Sequence, residues 1–406
     1  MSQVLREKEG FGLPRAVLVA ALAALAVKLV LATTTQGTND IRAFWYFLQE
    51  YRGSGAKLLY EKESEFNHPP FVIRWLTALR WLHQTTGWAP WFWVRLPAIL
   101  ADFGSVWIVA RLVRARLGEA STRFTLLLVA AAPASVMISG FHGNNDPVMI
   151  FFVLVSILLL ERRAPFWLAG LAMGMAVDMK VVPLVFWPAI CLWLPSWRAR
   201  FEYFGAAVSA IVVASLPWIF QEPALIARKV LLYKSSYGLW GISRILKGAL
   251  AFESWGRVFL AATLVGLALW MNRRPARPPL FRQLAVLAFA FLVVTPGFGV
   301  QYLAWLVPWI AGIAPGVALA WCLASGAFLF LVYTFWCQGV PFENADPNWL
   351  GATFWSRGLP WVSADANSVG EWRGPIVPVE VVCWITVVVG LVFQLRALER
   401  ESSARV

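Results

Sequence analysis

The stretch Gly140-Phe141-His142-Gly143-Asn144-Asn145-Asp146 gathers an imidazole, two carboxamides and a carboxylate in one Gly-rich corner. It lies between two apolar runs, 124–139 and 148–160, each long enough to cross most of a bilayer. Such a corner is costly in hydrocarbon unless it meets water or a ligand. A carboxylate here can take a proton from a hydroxyl, and an imidazole can bind phosphate or orient the carboxylate. A polar turn joining two spans would look much the same. What separates the two readings is where the other unusual polar residues stand.

The elements that must position this corner are transmembrane. With 59% hydrophobic residues, 24 Trp and 28 Phe, the chain cannot be an ordinary soluble domain, and apolar segments recur along its whole length. The net charge of +13 does not indicate nucleic acid, because the Lys and Arg residues fall in short loops between apolar runs. Cys191, Cys322 and Cys383 lie inside apolar runs and Cys337 closes another, which is neither a disulfide framework nor a zinc spacing. The N-terminus has no cleavage site, so the first span is expected to remain as an anchor.

Orientation follows from charge. Residues 1–15 carry Arg6, Lys8 and Arg15 and are placed in the cytoplasm. The first span, 16–32, then leads to an external segment, 33–90. Within it Phe44, Phe47, Leu48 and Tyr51 follow i, i+3, i+4, i+7 spacing, which predicts a helix lying on the membrane surface. The stretch 71–83 carries Arg74 and Arg80 opposite an apolar arc and is read as a second interfacial helix. Counting it as a span would place the arginine cluster at 111–123 outside, against the positive-inside rule. The remaining spans are then 91–113, 124–139, 148–160, 166–177, 181–194, 203–220, 255–271, 284–294, 302–313, 316–336 and 376–394. The expectation is an all-α polytopic membrane protein of about twelve spans. The whole chain, 1–406, forms one membrane domain with both termini cytoplasmic. Its long external loops are 33–90, a basic loop at 221–254, and 338–375.

With that topology one membrane face collects Asp40, the Asn67-His68-Pro69-Pro70 turn, His142, Asn145, Asp146, Lys180, the basic loop and residues 295–302. Each has a dull explanation: Asn39 or Asp40 suits a helix cap, and Lys180 can snorkel from a span end. Arg95 and Asp102, two turns apart within one span, read as interhelical glue. The basic loop is harder to dismiss. Arg228, Lys229, Lys234, Arg244 and Lys247 run against the charge rule, interleaved with Tyr233, Tyr237 and Trp240. Cations beside aromatics at headgroup level suit a lipid-borne phosphate and a sugar stacked on a ring, or bulk anionic membrane lipid.

This order resembles the GT-C class of integral membrane glycosyltransferases, in its bacterial mannosyltransferase-like branch akin to glycosyltransferase family 87. The resemblance covers about residues 15–310. It rests on Thr38-Asn39-Asp40, Asn67-His68-Pro69-Pro70-Phe71, the span segment Arg95-Leu96-Pro97 through Asp102, and the corner at 140–146. Met179-Lys180-Val181-Val182-Pro183-Leu184 and Pro296-Gly297-Phe298-Gly299-Val300-Gln301-Tyr302-Leu303 complete it. The class's paired acidic motif is reduced here to Asp40 after Asn39, and to Asn145-Asp146.

The resemblance implies inverting transfer of a sugar, a mannose-like hexose, from a polyprenyl-phosphate donor to a lipid or glycan acceptor. The reaction would lie on the extracytoplasmic face of a bacterial plasma membrane. Asp40 is the candidate base, with Asp146 its rival or a holder of sugar hydroxyls or of a divalent metal such as Mg or Mn. His68 and His142 are candidates for binding phosphate or orienting a carboxylate. Lys180, Arg228, Lys229, Lys234 and Arg244 are candidates for the phosphate. Asn145, Tyr237, Gln301 and Tyr302 complete the expected substrate-binding set. The competing expectation, a secondary transporter or lipid-linked-sugar flippase, calls for repeated halves, and none is visible.

Overall fold

The computed structural model describes residues 12–337, 372 and 374–403, apart from 64, 117, 217, 234, 248, 249, 275 and 276. The described residues are almost entirely helical. The chain enters through α1 (Arg15–Thr34), α2 (Asn39–Lys62), α3 (Phe71–Thr86) and α4 (Pro90–Leu112). Next come α5 (Ala120–Ala130) and α6 (Pro133–Met137), the latter running into a wide π-type turn, Ile138–His142. After α7 (Asp146–Glu161) and α8 (Phe166–Met179), a 3-10 turn Val182–Phe186 leads into α9 (Trp187–Trp193) and α10 (Trp197–Ser215). Three short helices follow, α11 (Trp218–Gln221), α12 (Pro223–Leu231) and α13 (Gly241–Ile245), then α14 (Leu250–Asn272) and α15 (Leu280–Val294). The last are α16 (Leu303–Leu306), α17 (Pro315–Trp336) and α18 (Ile376–Ser403).

Proline starts many of these helices. It stands in the first turn of α4, α6, α7, α9, α12 and α17, where its missing N–H would be unpaired anyway. Gly170 and Gly174 let α8 press on α10, since an added β-carbon would lie 2.1 Å from Tyr203 O and 2.6 Å from Ala207 O.

Among the described residues, six helical segments are long and apolar enough to cross a membrane: Arg15–Thr34, Pro90–Leu112, Ala120–His142, Phe252–Asn272, Pro315–Trp336 and Ile376–Arg400. Phe166–Met179, Val182–Trp193 and Leu280–Val294 are apolar but shorter. The described residues therefore do not establish the expected twelve spans. Part of the reason is proline. Pro183 and Pro188 fall in the broken segment 182–193, and Pro308 lies in 300–312, which is a string of 3-10 turns around the single turn α16. The external loop expected at 338–375 lies outside the described residues except at 372, 374 and 375.

Helices form over both stretches expected to lie on the membrane surface, and they pack on each other. Phe44, Phe47 and Leu48 of α2 are buried with Val72, Ile73, Leu76 and Leu79 of α3 and Ile226 and Val230 of α12, in a second hydrophobic cluster beside the start of α4. Gly87, at φ 72°, closes α3 three residues beyond the expected end at 83. The cap of α2 is Thr38 rather than Asn39 or Asp40, because its hydroxyl accepts from Asp40 N. That leaves the Asp40 carboxylate free of capping duty.

Two charged centres join the helices inside the bundle. Lys28 Nζ lies 2.8 Å from Asp102 Oδ2 and donates to Ser135 Oγ at 2.6 Å, linking α1, α4 and α6. Arg95 is fully buried in α4. Its guanidinium donates to Leu31 O (3.1 Å), Thr35 Oγ1 (2.9 Å), Thr35 O and Gly140 O (2.8 Å), and its Nε to Trp91 O (3.1 Å). Both arrangements agree with the reading of Arg95 and Asp102 as glue between helices.

If α4 crosses the membrane and α3 does not, single cysteines at Thr86 and Ser121, both exposed, react with an impermeant reagent from opposite sides. Labelling of both from one side would remove the crossing.

Candidate active site

Asp40 stands in the first turn of α2, and His142 ends the π-type turn between α6 and α7. Two glycines bring them together. Gly37 (φ 89°) and Gly143 (φ 83°) both adopt the left-handed conformation that favours glycine. A β-carbon on either would strike the Ile41 side chain, and one on Gly37 would also meet Phe141 O at 2.5 Å. Thr38 completes the junction by donating to His142 O (2.9 Å), with its hydroxyl 3.2 Å from His142 Nδ1. As a result His142 Nε2 lies 2.9 Å from Asp40 Oδ2, which also accepts from Asn144 Nδ2 at 2.9 Å.

The Asp40 side chain keeps 40% of its surface exposed, whereas the His142 imidazole beside it is buried, stacked on Tyr333 at 5.5 Å. Burial pushes the Asp40 carboxyl up, but the neighbouring imidazole and the Asn144 amide outweigh it and hold the value at about 2. His68 is moved the other way. Its burial and the nearby Lys180 charge bring it to about 3, so its ring is neutral near neutral pH. That ring sits between Phe44 (5.3 Å) and Phe66 (5.9 Å).

Asp40 and His142 open on a cavity of about 180 Å³. Tyr233, Ser235, Ser236, Gly299 and Gln301 line its polar side, and Phe298, Val332, Phe335, Trp336, Trp372 and Ile376 its apolar side. A two-residue antiparallel pairing ties two of these walls together: β1 (Ser236–Tyr237) lies against β2 (Gly297–Phe298). Tyr302 OH bonds with Ser235 Oγ, and the Tyr302 ring stacks on Trp305 at 4.0 Å.

Asp146 stands elsewhere. It is fully buried at the start of α7, with Oδ1 2.7 Å from Lys180 Nζ and Oδ2 accepting from Trp305 Nε1 at 3.0 Å. Lys180 lies 5.8 Å from the centres of the Tyr302 and Trp305 rings. Asn145 faces inward, donating to Met179 O (3.2 Å), while Asn144, outside the expected binding set, links the Asp40 carboxylate to the backbone of Asp146. It donates to Asp40 and accepts from Asp146 N at 3.1 Å. The signal for Asn144 was its place just after a left-handed glycine and two residues before a helix start, where Asn side chains commonly bond the backbone ahead.

The basic loop reaches the cavity through Tyr233, Ser235, Ser236 and Leu239, but its described cations do not. Arg228 is exposed on α12, and Lys229 donates to Glu63 O (3.3 Å). Tyr237 donates to Leu246 O (2.9 Å), and Arg244 pairs with buried Glu380 of α18 at 2.7 Å. Lys234 lies outside the described residues. Among the described residues, neither lysine nor arginine lines the cavity. Ser235, Ser236, Trp336 and Trp372 line it and were not legible, because nothing in their local sequence fixes the direction in which they face.

A divalent ion does not fit these residues. Such ions take several oxygen ligands. Asp40 and His142 are the acidic and imidazole groups on the wall, and both oxygens of Asp146 are already engaged. Among the described residues no three His, Cys, Asp or Glu side chains converge as a metal site would need.

Breaking a buried ion pair from one side typically costs about 3–5 kcal/mol, because the other charge is left uncompensated. Asp146→Asn and Lys180→Met should each lower thermal stability by that order, and the double variant should recover part of the loss. Simple additivity in a double-mutant cycle would argue against the pairing.

The Asp40 value also makes a pH prediction. A carboxyl held near 2, below its ordinary 3.8, is ionised at every pH above about 4. Its folded-state interactions are therefore fully present there and fade only as pH falls towards 2. No acid limb of kcat/KM above about pH 4 should belong to Asp40 in the wild type. His142→Gln, which removes its main stabilising partner, should move that limb upward. An unmoved limb would mean that the imidazole does not hold the carboxylate.

Comparison with known proteins places the chain in a family. No curated protein matches the chain. The crystal structure of ArnT from Cupriavidus metallidurans bound to undecaprenyl phosphate is similar over 96% of this chain and 77% of that one, at 14% identity and a TM-score of 0.47. Residues 66–296, more than half of the chain, match glycosyltransferase family 87. The chain belongs to this family of GT-C-type membrane glycosyltransferases.

Proposed function

We propose that the protein moves a sugar, a mannose-like hexose, from a polyprenyl-phosphate donor to a lipid or glycan acceptor, with inversion, on the extracytoplasmic side of the membrane. The observation that carries this reading is Asp40. It is an ionised, partly exposed carboxylate on the wall of a cavity lined by both polar and apolar groups, oriented by His142 and Asn144. In inverting transfer the acceptor oxygen attacks the anomeric carbon while the carbon–oxygen bond to phosphate breaks. The acceptor proton then needs a base, and the phosphate leaves as an anion needing no acid. Asp40 takes that proton, and His142 holds it in position. A carboxylate with so low a value is a weak base, so transfer to it is favourable only as the acceptor oxygen gains positive charge late in the attack.

The polar wall meets the sugar and phosphate through Gln301, Ser235 and Ser236. Lys180, one layer behind, supplies positive potential without touching them. The aromatic wall of Phe335, Trp336 and Trp372 suits the first isoprene units, which a soluble nucleotide sugar lacks. Asp146 acts by holding Lys180, not by taking a proton.

Asp40→Asn should lower kcat by about two to four orders of magnitude with donor binding largely retained. His142→Gln should cost less, and Asp146→Asn should act mainly through stability and KM. These are measured on purified protein with a polyprenyl-phosphate sugar and with a nucleotide sugar. Near-normal turnover in Asp40→Asn would remove the base assignment. Turnover with the nucleotide sugar and none with the lipid-linked donor would remove the donor assignment.

A further inference from the structure

A second surface lies at the other end of the bundle. The helical segment 120–142 ends at His142, α17 ends on the cavity wall at Val332 and Trp336, and α18 begins there at Ile376. The opposite ends of these same elements enclose another cavity, of about 270 Å³. Arg116, Ser121, Thr122, Arg282, Gly312 and Phe393 are among its lining residues. It adjoins a third, of about 390 Å³, lined by Val389, Val392, Phe393, Arg396, Ala397 and Arg400. Phe393 and Ala397 line both, so the two spaces adjoin along α18.

Chemically the two spaces differ. The first offers guanidinium and hydroxyl groups. The second presents the exposed apolar face of α18, where Val389, Val392 and Phe393 stand outward, with Arg396 and Arg400 at its end. Arg274 adds charge nearby, its guanidinium donating to Leu398 O at 2.8 Å. Glu119 is already engaged by Arg116, Ser121 and Thr122.

We propose that this paired space holds one anionic phospholipid of the leaflet opposite the Asp40 cavity. Its phosphate lies against Arg116 and Arg282 beside the Ser121 and Thr122 hydroxyls, and an acyl chain runs down the Val389–Phe393 face. A phosphodiester supplies the acceptor oxygens that guanidinium and hydroxyl donors require, and an acyl chain covers the apolar strip that continues from them. A soluble anion matches the first space and leaves the second uncovered. Bound lipid would fasten α18 to the starts of α5 and α17, and the far end of α17 lines the Asp40 cavity at Val332, Phe335 and Trp336.

The test uses the full chain in detergent, titrated with phosphatidylglycerol or phosphatidylcholine and read by native mass spectrometry. One phosphatidylglycerol should be retained, at least about tenfold more tightly than phosphatidylcholine. Arg116→Gln should weaken it about fivefold, and Arg396→Gln with Arg400→Gln by more than either alone. All three side chains are exposed, so the variants should fold. Equal retention of the two lipids overturns the proposal, as does binding undiminished in Arg116→Gln and in the Arg396/Arg400 double variant. Inorganic phosphate competing as well as phosphatidylglycerol would show a simple anion site and would also overturn it.

Discussion

A single buried cation without a carboxylate partner holds the site end of the bundle together. The Arg95 guanidinium is met by the carbonyls of Leu31, Thr35 and Gly140 and the Thr35 hydroxyl. Leu31 and Thr35 lie at the end of α1 and Gly140 within the π-type turn, where helix ends leave carbonyls unpaired and carry negative potential. A bare guanidinium in the membrane interior would be very costly, and unpaired carbonyls would be costly too. Brought together they satisfy each other, and no other side chain has enough donors in a fixed fork to do it. Asp40 is five residues beyond Thr35 and His142 two beyond Gly140, so the clamp fixes the starting point of both catalytic-side segments.

The electrostatics of the cavity follow from what was kept out of contact. Lysine and arginine are absent from the described wall, while Lys180 sits one layer behind, neutralised by Asp146. A cation on the wall would bind any anion tightly, product phosphate included. A cation held back by its own carboxylate steadies charge over a wider range of positions and releases it more readily. Arg244, in the same loop as Tyr233 and Leu239 of the wall, is tied to Glu380 of α18 and serves as a strut.

Much of this arrangement was legible, for reasons that differ residue by residue. The 140–146 corner and Asp40 stood out because polar groups between apolar runs are expensive, so their presence demands an explanation. The surface helices were legible because period and burial coincide at Phe44, Phe47 and Leu48. The basic loop misled because charge against the positive-inside rule says where a residue is costly, not which way it faces. Arg244 turned to Glu380, 136 positions away by number, and no local pattern announces such a pairing. Asn144 and Asn145 are indistinguishable by type, and only the left-handed Gly143 before them decides which one reaches Asp40. The number of spans was the least legible feature. Proline and glycine break the apolar runs near 182–193 and 300–312 into pieces whose lengths no longer match a bilayer.

The small pairing of Ser236–Tyr237 with Gly297–Phe298 has a consequence for how this pocket can change over time. Ser236 and Phe298 face the same cavity from loops some sixty residues apart, yet they share one ladder, and a side chain at Gly297 would collide with Ser235. A mutation that reshapes one rim therefore shifts the other. New sugar preferences would have to arise through compensating changes in both loops at once, a constraint that ties two distant stretches of the gene into one heritable unit.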